Sequence, residues 1–232
     1  MKMLRSWLFV PGDDERKMTK AVGGEADALL FDLEDAVADE RQEIARQMVA
    51  DILTANPDRS RQQLWVRINP LDSELSLPDL AAVMRGKPDG IILPKTYSAA
   101  DVNRLGDFLS ALEAREGIDQ GATKILCVAT ETASSLVTFE SYIRDVTDRL
   151  VGLTWGGEDL AAALGASDNR HPVTGDYDEP YLLARTFTLA TARAIDAQPV
   201  GSVFVDFRNL EGLEKECLRD RRMGYIGKIA IH

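Results

Sequence analysis

Cysteine and histidine are scarce in this chain, which has two of each in 232 residues. Cys127 and Cys217 lack the spacing of a metal site, so we expect buried free thiols and a reducing, cytoplasmic setting. His171 lies in a polar loop and is interpreted as a surface residue. The sequence shows neither a Ser-His-Asp order nor a nucleophile elbow, which argues against a serine hydrolase.

Long apolar runs and excess positive charge are also lacking. The longest apolar runs, such as Ala28–Phe31 and Gly90–Leu93, are too short to cross a bilayer, and the N-terminus does not have the order of a signal peptide. A formal net charge of −11 argues against nucleic acid as a partner. We therefore expect a globular cytoplasmic protein with neither a membrane nor a nucleic acid partner, although a local positive site could bind a small anion.

Short apolar runs alternate with longer amphipathic ones along the whole chain, which predicts repeated β-α units. The predicted strands are Leu4–Val10, Ala28–Leu33, Leu64–Ile68, Gly90–Pro94, Lys124–Thr130, Leu150–Trp155, Gly201–Phe207 and Tyr225–Ile231. The predicted helices are Asp14–Val22, Asp39–Leu53, Leu77–Arg85, Ala99–Glu116, Ser134–Arg144, Asp159–Ala166, Pro180–Ala197 and Leu210–Met223. Asp39 with Glu43, and Ser98 with Asp101, are helix start signals.

The predicted strands are apolar throughout, which is typical of a parallel sheet covered by helices on its outer face. Eight such strands favour a TIM (β/α)8 barrel, formed by residues 1–232 as a single α/β domain. The first strand–helix turn, Pro11-Gly12-Asp13-Asp14, is not a glycine-rich dinucleotide fingerprint, which disfavours a Rossmann fold.

The sequence ends at His232, directly after the eighth predicted strand. A closed barrel would place a final helix there, so we expect a barrel that lacks its last C-terminal helix. Either another subunit covers the eighth strand or the chain is shorter than is usual for such a barrel. On this reasoning we expect a homo-oligomer.

Charged residues gather where the predicted strands end, which is where TIM barrels carry their chemistry. They are Asp32, Glu34, Asp35, Arg67, Lys95, Glu131, Glu158 and Asp159, together with the amide of Asn69. Clustered carboxylates repel one another unless a cation lies between them, and hard oxygen ligands favour Mg²⁺, with Mn²⁺ as the alternative, over zinc. Glu131 and Asp159 end the neighbouring strands five and six, so they are the best candidate metal pair.

Structural interpretations of the same residues remain open. Asp159 and Glu131 could be first-turn helix residues favoured by the helix dipole. Asp35 and Asp39 are interpreted as structural, and Lys95 could pair with a neighbouring acid. Arg67 is harder to explain in this way, because a buried arginine needs an anion.

The chain resembles the citrate lyase β-subunit (CitE-like) family of the HpcH/HpaI aldolase superfamily. The segments that carry this resemblance run in order along nearly the whole chain. They are RSWLFVPGDDERKMTKA, DALLFDLEDAVADERQEIAR, WVRINPLDS, GIILPK, ETASSL, GGEDLAAALGA and GKIAIH. Any single segment is a weak signal, but the ordered combination is specific.

The resemblance implies a Mg²⁺-dependent carbon–carbon lyase with a TIM barrel fold. Such enzymes cleave or form a 3-hydroxyacyl-CoA, such as malyl-, citramalyl- or citryl-CoA, with an acyl-CoA and a keto acid as the other side of the reaction. The resemblance places the metal at Glu131 and Asp159 and the catalytic groups at Arg67 and Glu131. It further implies that the substrate is bound by Arg67, Glu131, Gly157, Glu158 and Asp159, and that CoA approaches Pro11, Gly12 and Lys95.

The chain also departs from the resembled family, in which a segment beyond strand eight supplies an acidic catalytic residue to a neighbouring subunit. We expect that segment to be absent here. Two alternatives therefore stay open, a keto-acid aldolase that does not use CoA and a non-catalytic member that binds a carboxylate or a partner. Other lyase subunits are candidate partners in either case.

Overall fold

The computed structural model describes residues 3–232 and shows a closed barrel of eight parallel strands. Each strand pairs with its sequence neighbours, and β1 pairs with β8 to close the barrel. The strands are β1 Ser6–Pro11, β2 Ala28–Asp32, β3 Gln63–Arg67, β4 Gly90–Leu93, β5 Lys124–Val128, β6 Leu150–Thr154, β7 Gln198–Gly201 and β8 Gly227–Ala230. The predicted TIM barrel is confirmed.

Eight α-helices lie among the described residues. They are α1 Glu15–Ala21, α2 Gln42–Ala55, α3 Ser76–Val83, α4 Ala99–Glu116, α5 Glu140–Arg144, α6 Glu158–Leu164, α7 Glu179–Ala194 and α8 Leu210–Met223. Short 3₁₀ turns occupy Asp39–Arg41, Met84–Gly86 and Ser134–Val137. None of the helices in residues 3–232 combines the length and apolarity that a bilayer span requires.

The strands are apolar on both faces because each face is buried in a different core. In β2, all five residues are buried. Leu30 points into the barrel, where Trp7 and Trp65 pack edge to face with ring centroids 5.1 Å apart. Leu29 and Phe31 point outward, under the helices. This two-sided burial holds the strand ends, and so the polar residues that follow them, at one rim of the barrel.

Helix α4 has the predicted bounds and the predicted start, since Ser98 and Asp101 form a capping box. Two other helix predictions need correction. Asp39 begins a 3₁₀ turn and does not cap α2, whose N-cap position is Arg41. The single helix predicted over Ser134–Arg144 is broken, because the Thr138 hydroxyl donates to backbone carbonyls of the preceding turn and of the β4–α4 loop.

The seventh strand was predicted too late in the chain. The observed β7 is Gln198–Gly201, which pairs with β6 through Gln198 and Pro199 and with β8 through Val200 and Gly201. Proline has no backbone N–H to donate, so Pro199 disfavours a central strand when the sequence alone is considered. Its carbonyl, however, accepts from the Ile226 N–H. The apolar residues after Gly201 therefore form the loop that follows the strand.

Within residues 3–232, β8 pairs directly with β1, with Ser6, Trp7 and Leu8 opposite Lys228, Ile229 and Ala230 respectively. Both cysteines are free, as predicted. Cys127 is buried, whereas Cys217 on α8 is only half-buried. Burial raises the pKa of the Cys127 thiol to about 12, so this residue is inert at neutral pH.

Candidate active site

A cavity of about 380 Å³ opens at the carboxyl ends of the strands. Several of the predicted site residues line it, namely Pro11, Asp32, Asp35, Arg67, Glu131, Glu158 and Asp159. Gly12, Lys95 and Gly157 are not among the residues that line it. A larger cavity of about 680 Å³, lined by the α5–β6 and α7–β7 loops, lies at the amino ends of the strands and contains none of these groups.

Arg67, at the end of β3, is enclosed by carboxylates of the same chain. Its Nε and Nη2 donate to the two oxygens of Asp32 at 2.7 and 2.6 Å. Its Nη1 lies 2.8 Å from Glu34 and 3.2 Å from Asp35. Burial disfavours the charged guanidinium, but these carboxylates outweigh that effect and raise the pKa of Arg67 above its usual value. The anion that a buried arginine requires is therefore supplied first by Asp32.

Lys95 connects both members of the candidate metal pair. Its backbone N–H donates to Glu131 Oε2 at 2.7 Å, and its Nζ lies 3.6 Å from Asp159 Oδ1. The same Nζ contacts Glu34 and lies 3.2 Å from Asp35. Lys95 has a left-handed backbone, with φ of 50°. The sequence left open whether Lys95 pairs with a neighbouring acid. The structure shows these ion pairs, and they direct the ammonium group of Lys95 toward the acidic rim.

Glu131 and Glu34 are carboxyl groups whose pKa values lie above the usual glutamate value. Burial raises the pKa of Glu131 to about 8, repulsion from Asp159 adds to the rise, and the Lys95 N–H opposes it. Burial likewise raises the pKa of Glu34 to about 7, against the attraction of Arg67 and Lys95. A cation bound between Glu131 and Asp159 would remove the repulsion that now favours the protonated Glu131.

The donor set fits a magnesium ion. Within residues 3–232 there is no group of three or more His, Cys, Asp or Glu side chains arranged to hold a metal. Mg²⁺ does not require one, because it is commonly held by one or two carboxylates, with substrate oxygens and water completing the octahedron. Glu131 and Asp159 supply those two carboxylates at the wall of an open cavity.

The paired glycines before α6 have separate roles. A Cβ on Gly156 would lie 2.9 Å from both Cγ and Oε1 of Glu131, so only glycine leaves room for that carboxylate. Gly157 is the N-cap of α6, and the helix places Glu158 and Asp159 in its first turn. Asn169 donates to Glu158 at 3.2 Å. The first N–H groups of a helix have no intrahelical acceptor, so they are available to an anion.

Two other residues singled out in the sequence have structural contacts. Gly12 donates to the Asp32 carbonyl at 2.8 Å, and a Cβ there would lie 2.5 Å from the same oxygen. This close approach is sufficient to explain why position 12 is glycine, with no need for a contact to a ligand. Asn69 is buried and donates to Asp79 at 2.8 Å, away from the cavity.

One side of the cavity was missed by the sequence analysis. Apolar side chains from β1, β8 and the loop after β7 form a surface that we call the apolar wall. Its members are Phe9, Val203, Val205, Ile229 and Ile231. The alternating positions of Val203 and Val205 were the signal that could have indicated this wall. Because the seventh strand was predicted over Gly201–Phe207, both residues were assigned to the sheet and not to the site.

Comparisons with known proteins agree with the fold and identify the family of the chain. Residues 5–232 match the HpcH/HpaI aldolase/citrate lyase family. The citrate lyase subunit beta of Haemophilus influenzae is 34% identical over 232 residues, which are 100% of this chain and 77% of that protein. The (3S)-malyl-CoA thioesterase of Cereibacter sphaeroides is 33% identical over 231 residues, which are 98% of this chain and 73% of the relative.

The structural likeness covers the same region. The crystal structure of the protein CitE from Mycobacterium tuberculosis, in complex with magnesium, acetoacetate and coenzyme A, superposes with a TM-score of 0.80 at 30% sequence identity. The match covers 98% of this chain and 76% of that one.

Proposed function

Because the chain belongs to the HpcH/HpaI aldolase/citrate lyase family, we propose that it is a Mg²⁺-dependent carbon–carbon lyase. Its substrate would be a 3-hydroxyacyl-CoA, cleaved to an acyl-CoA and a keto acid or formed from them. The observation that carries this proposal is the pair of Glu131 and Asp159 at adjacent strand ends, facing one cavity. Relatives that are named for malyl-CoA and citrate chemistry support the substrate class.

Under this proposal, each residue of the site has a specific role. Glu131 and Asp159 hold Mg²⁺, with Mn²⁺ as the alternative, and the metal when bound supplies a Lewis acid to the carbonyl of the keto acid. The N–H groups of Gly157, Glu158 and Asp159 receive the keto-acid carboxylate at the start of α6. Arg67, held rigid by Asp32, presents its positive charge to the enolate of the thioester. Pro11, Gly12 and Lys95 lie where CoA approaches.

The cleavage itself breaks the bond between C2 and C3 of the hydroxyacyl group. The C3 hydroxyl loses its proton and becomes the keto-acid carbonyl, while C2 keeps the bonding electrons as a thioester enolate and then takes up a proton. Arg67 stabilises the negative charge of the enolate in a site whose remaining wall is apolar, where electrostatic interactions are stronger than in water.

We also propose that the protein works as a cytoplasmic homo-oligomer, with other lyase subunits as further partners. The support is an apolar patch on α7, where Leu182, Leu183 and Phe187 are all exposed. Leu8 and Ala230 on the outer face of the β1–β8 pair are also only half-buried. Light scattering on the purified protein tests this, and a monomer at micromolar concentration would contradict it.

The first test of the proposal is turnover. We would offer malyl-, citramalyl- and citryl-CoA with Mg²⁺ and then with EDTA, and follow the products by mass spectrometry. Metal-dependent release of a shorter acyl-CoA and a keto acid is the expected result. Free CoA with an intact hydroxy acid would instead identify a thioesterase.

The second test is binding of oxalate, a stable dicarboxylate that chelates Mg²⁺. We expect Glu131→Gln and Asp159→Asn to lose Mg²⁺-dependent oxalate binding in calorimetry while the circular dichroism spectrum is unchanged. Glu140→Gln, on the exposed face of α5, is the matched control and should bind as wild type does. Wild-type affinity in the two site variants would overturn the metal assignment.

A further inference from the structure

Glu34 is a buried carboxylate that lies between the two cations of the site. It follows β2, and only 5% of its side chain is exposed. Its Oε2 lies 2.8 Å from Arg67 Nη1, and its Oε1 contacts the Nζ of Lys95, so each oxygen faces one cation. Glu34 is not among the residues that line the cavity. Any effect that it has on binding in the cavity therefore passes through its neighbours.

Arg67 fixes the position of the Glu34 carboxylate. The guanidinium of Arg67 is itself held by both oxygens of Asp32, at 2.7 and 2.6 Å. All three side chains are buried, and side chains in a close-packed interior have few alternative positions. Glu34 is therefore a fixed negative charge that does not follow the Lys95 side chain when the latter moves.

The ammonium group of Lys95 is shared among three carboxylates. It lies closest to Glu34, 3.2 Å from Asp35 Oδ1 and 3.6 Å from Asp159 Oδ1. The Lys95 side chain is 33% exposed, so it has room to move between these partners. Asp35 is 50% exposed, and water weakens its attraction for the ammonium more than that of buried Glu34. Glu34 is therefore the acid that draws the ammonium away from Asp159.

From this geometry we propose that Glu34 is a positioning residue that keeps the Lys95 ammonium away from the metal ligand Asp159. The backbone N–H of Lys95 donates to Glu131 at 2.7 Å, so the lysine side chain starts beside the metal pair. Mg²⁺ and the ammonium compete for Asp159, and the fixed charge of Glu34 shifts that competition in favour of the metal. This inference rests on the proposed function, since it assumes that Glu131 and Asp159 hold Mg²⁺.

The test is a double-mutant cycle in Mg²⁺ affinity, measured by isothermal titration with MgCl₂. A pH of about 8.5 lies above the pKa values to which burial raises Glu34 and Glu131, about 7 and about 8, so both are ionised. Glu34→Gln keeps the shape of the side chain but removes its charge, and the released ammonium should pair with Asp159. We expect Mg²⁺ affinity to fall about three- to tenfold. In a Lys95→Met background, the same change should lower it less than about twofold.

Three further variants support the cycle. Glu34→Asp keeps the charge on a shorter side chain, so it should lose less affinity than Glu34→Gln, and it replaces that variant in the cycle should Glu34→Gln not fold. Asp35→Asn removes the neighbouring, half-exposed carboxylate and should also cost less affinity than Glu34→Gln. Glu140→Gln removes a carboxylate from an exposed pair on α5, and as the matched control it should bind Mg²⁺ as the wild type does.

The outcomes separate the two proposals. A loss of affinity in Glu34→Gln that persists in the Lys95→Met background would overturn this inference, because Glu34 would then act on the metal directly or through the fold. Wild-type affinity in Glu34→Gln would overturn it as well. If the wild type does not bind Mg²⁺, or if Glu131→Gln and Asp159→Asn bind it unchanged, the proposed function is wrong, and this inference with it.

Discussion

At the scale of single residues, Lys95 has the most unusual position. It reaches Glu131 with its backbone and Asp159 with its side chain, so one residue controls both candidate metal ligands. A non-glycine residue in the left-handed region carries a conformational cost that surrounding contacts must offset. Here the contacts are ion pairs, and they place an ammonium group close to where a metal ion would lie.

Replacing Lys95 with methionine should therefore strengthen metal binding. In the wild type, Mg²⁺ competes with the ammonium for Asp159, and that competition disappears in Lys95→Met. We expect Mg²⁺ affinity in the absence of substrate to rise about three- to tenfold, in line with roughly 1 kcal/mol for a partly exposed charge pair. Isothermal titration with MgCl₂ measures it.

Lys87→Met is the control for this variant. Lys87 also has a left-handed backbone, with φ of 51°, but its side chain is directed to the Gly117 carbonyl, away from the rim. Its Mg²⁺ affinity should match that of the wild type. Weaker binding in Lys95→Met would mean that the ammonium group serves the metal site by holding Asp159 in place, and not as a competitor.

At the scale of elements, the junction of β6 and α6 decides whether the site can form. The strand ends at Thr154, the helix begins at Glu158, and the short turn between them must pass close to Glu131. That approach is possible because Gly156 has no Cβ. The geometry of this one turn therefore sets the position of the Glu131 carboxylate, which follows β5, relative to the Asp159 carboxylate, which follows β6.

An alanine at position 156 should weaken the site without unfolding the barrel. The added methyl group would displace the Glu131 side chain, so we expect Gly156→Ala to lose most of its Mg²⁺ affinity and about 1–3 kcal/mol of stability, as in overpacked sites. Gly165→Ala is the comparison at the other end of α6. Gly165 has φ of 70° and open space around it, so that variant should lose stability but keep Mg²⁺ binding. Equal Mg²⁺ affinities in the two variants would contradict the steric argument.

At the scale of the whole molecule, the barrel depends on a buried ion pair remote from the cavity. Arg149, which precedes β6, donates to both oxygens of Glu113 on α4 at 2.7 Å. Burial opposes ionisation of Glu113, but hydrogen bonds from Arg149 and from the Gly121 and Thr123 N–H groups lower its pKa to about 2. This pair ties the longest helix to the sheet.

Breaking that pair should be costly, because it leaves a buried charge without a partner. We expect Arg149→Met to lower the free energy of unfolding by about 3–5 kcal/mol in urea titrations at neutral pH. The native pKa of Glu113 lies below its unfolded value of about 4.3, so this difference should be full above that pH and shrink as the pH falls toward 2. Arg144→Met, which breaks the exposed pair with Glu140, should change stability little. Similar losses in the two variants would show that the buried pair has no special role.

Local sequence patterns were sufficient to predict the barrel fold and the strand ends at which the candidate site lies. Apolar runs and amphipathic segments are local patterns, so seven of the eight strands and the capping box of α4 could be predicted directly. The rule that chemistry follows the carboxyl ends of parallel strands then selected Glu131 and Asp159. The seventh strand was placed wrongly because Pro199 and the apolar residues after Gly201 gave a misleading local pattern.

The tertiary structure was needed to establish which charges neutralise one another and what surrounds them. Arg67 and Asp32 lie 35 positions apart, and Lys95 and Asp159 lie on different strand–helix units, so strand register and barrel closure bring them together. The apolar wall likewise combines residues of β1 with residues near the end of the chain. Pairing and surroundings depend on distance in space, which local sequence patterns do not encode.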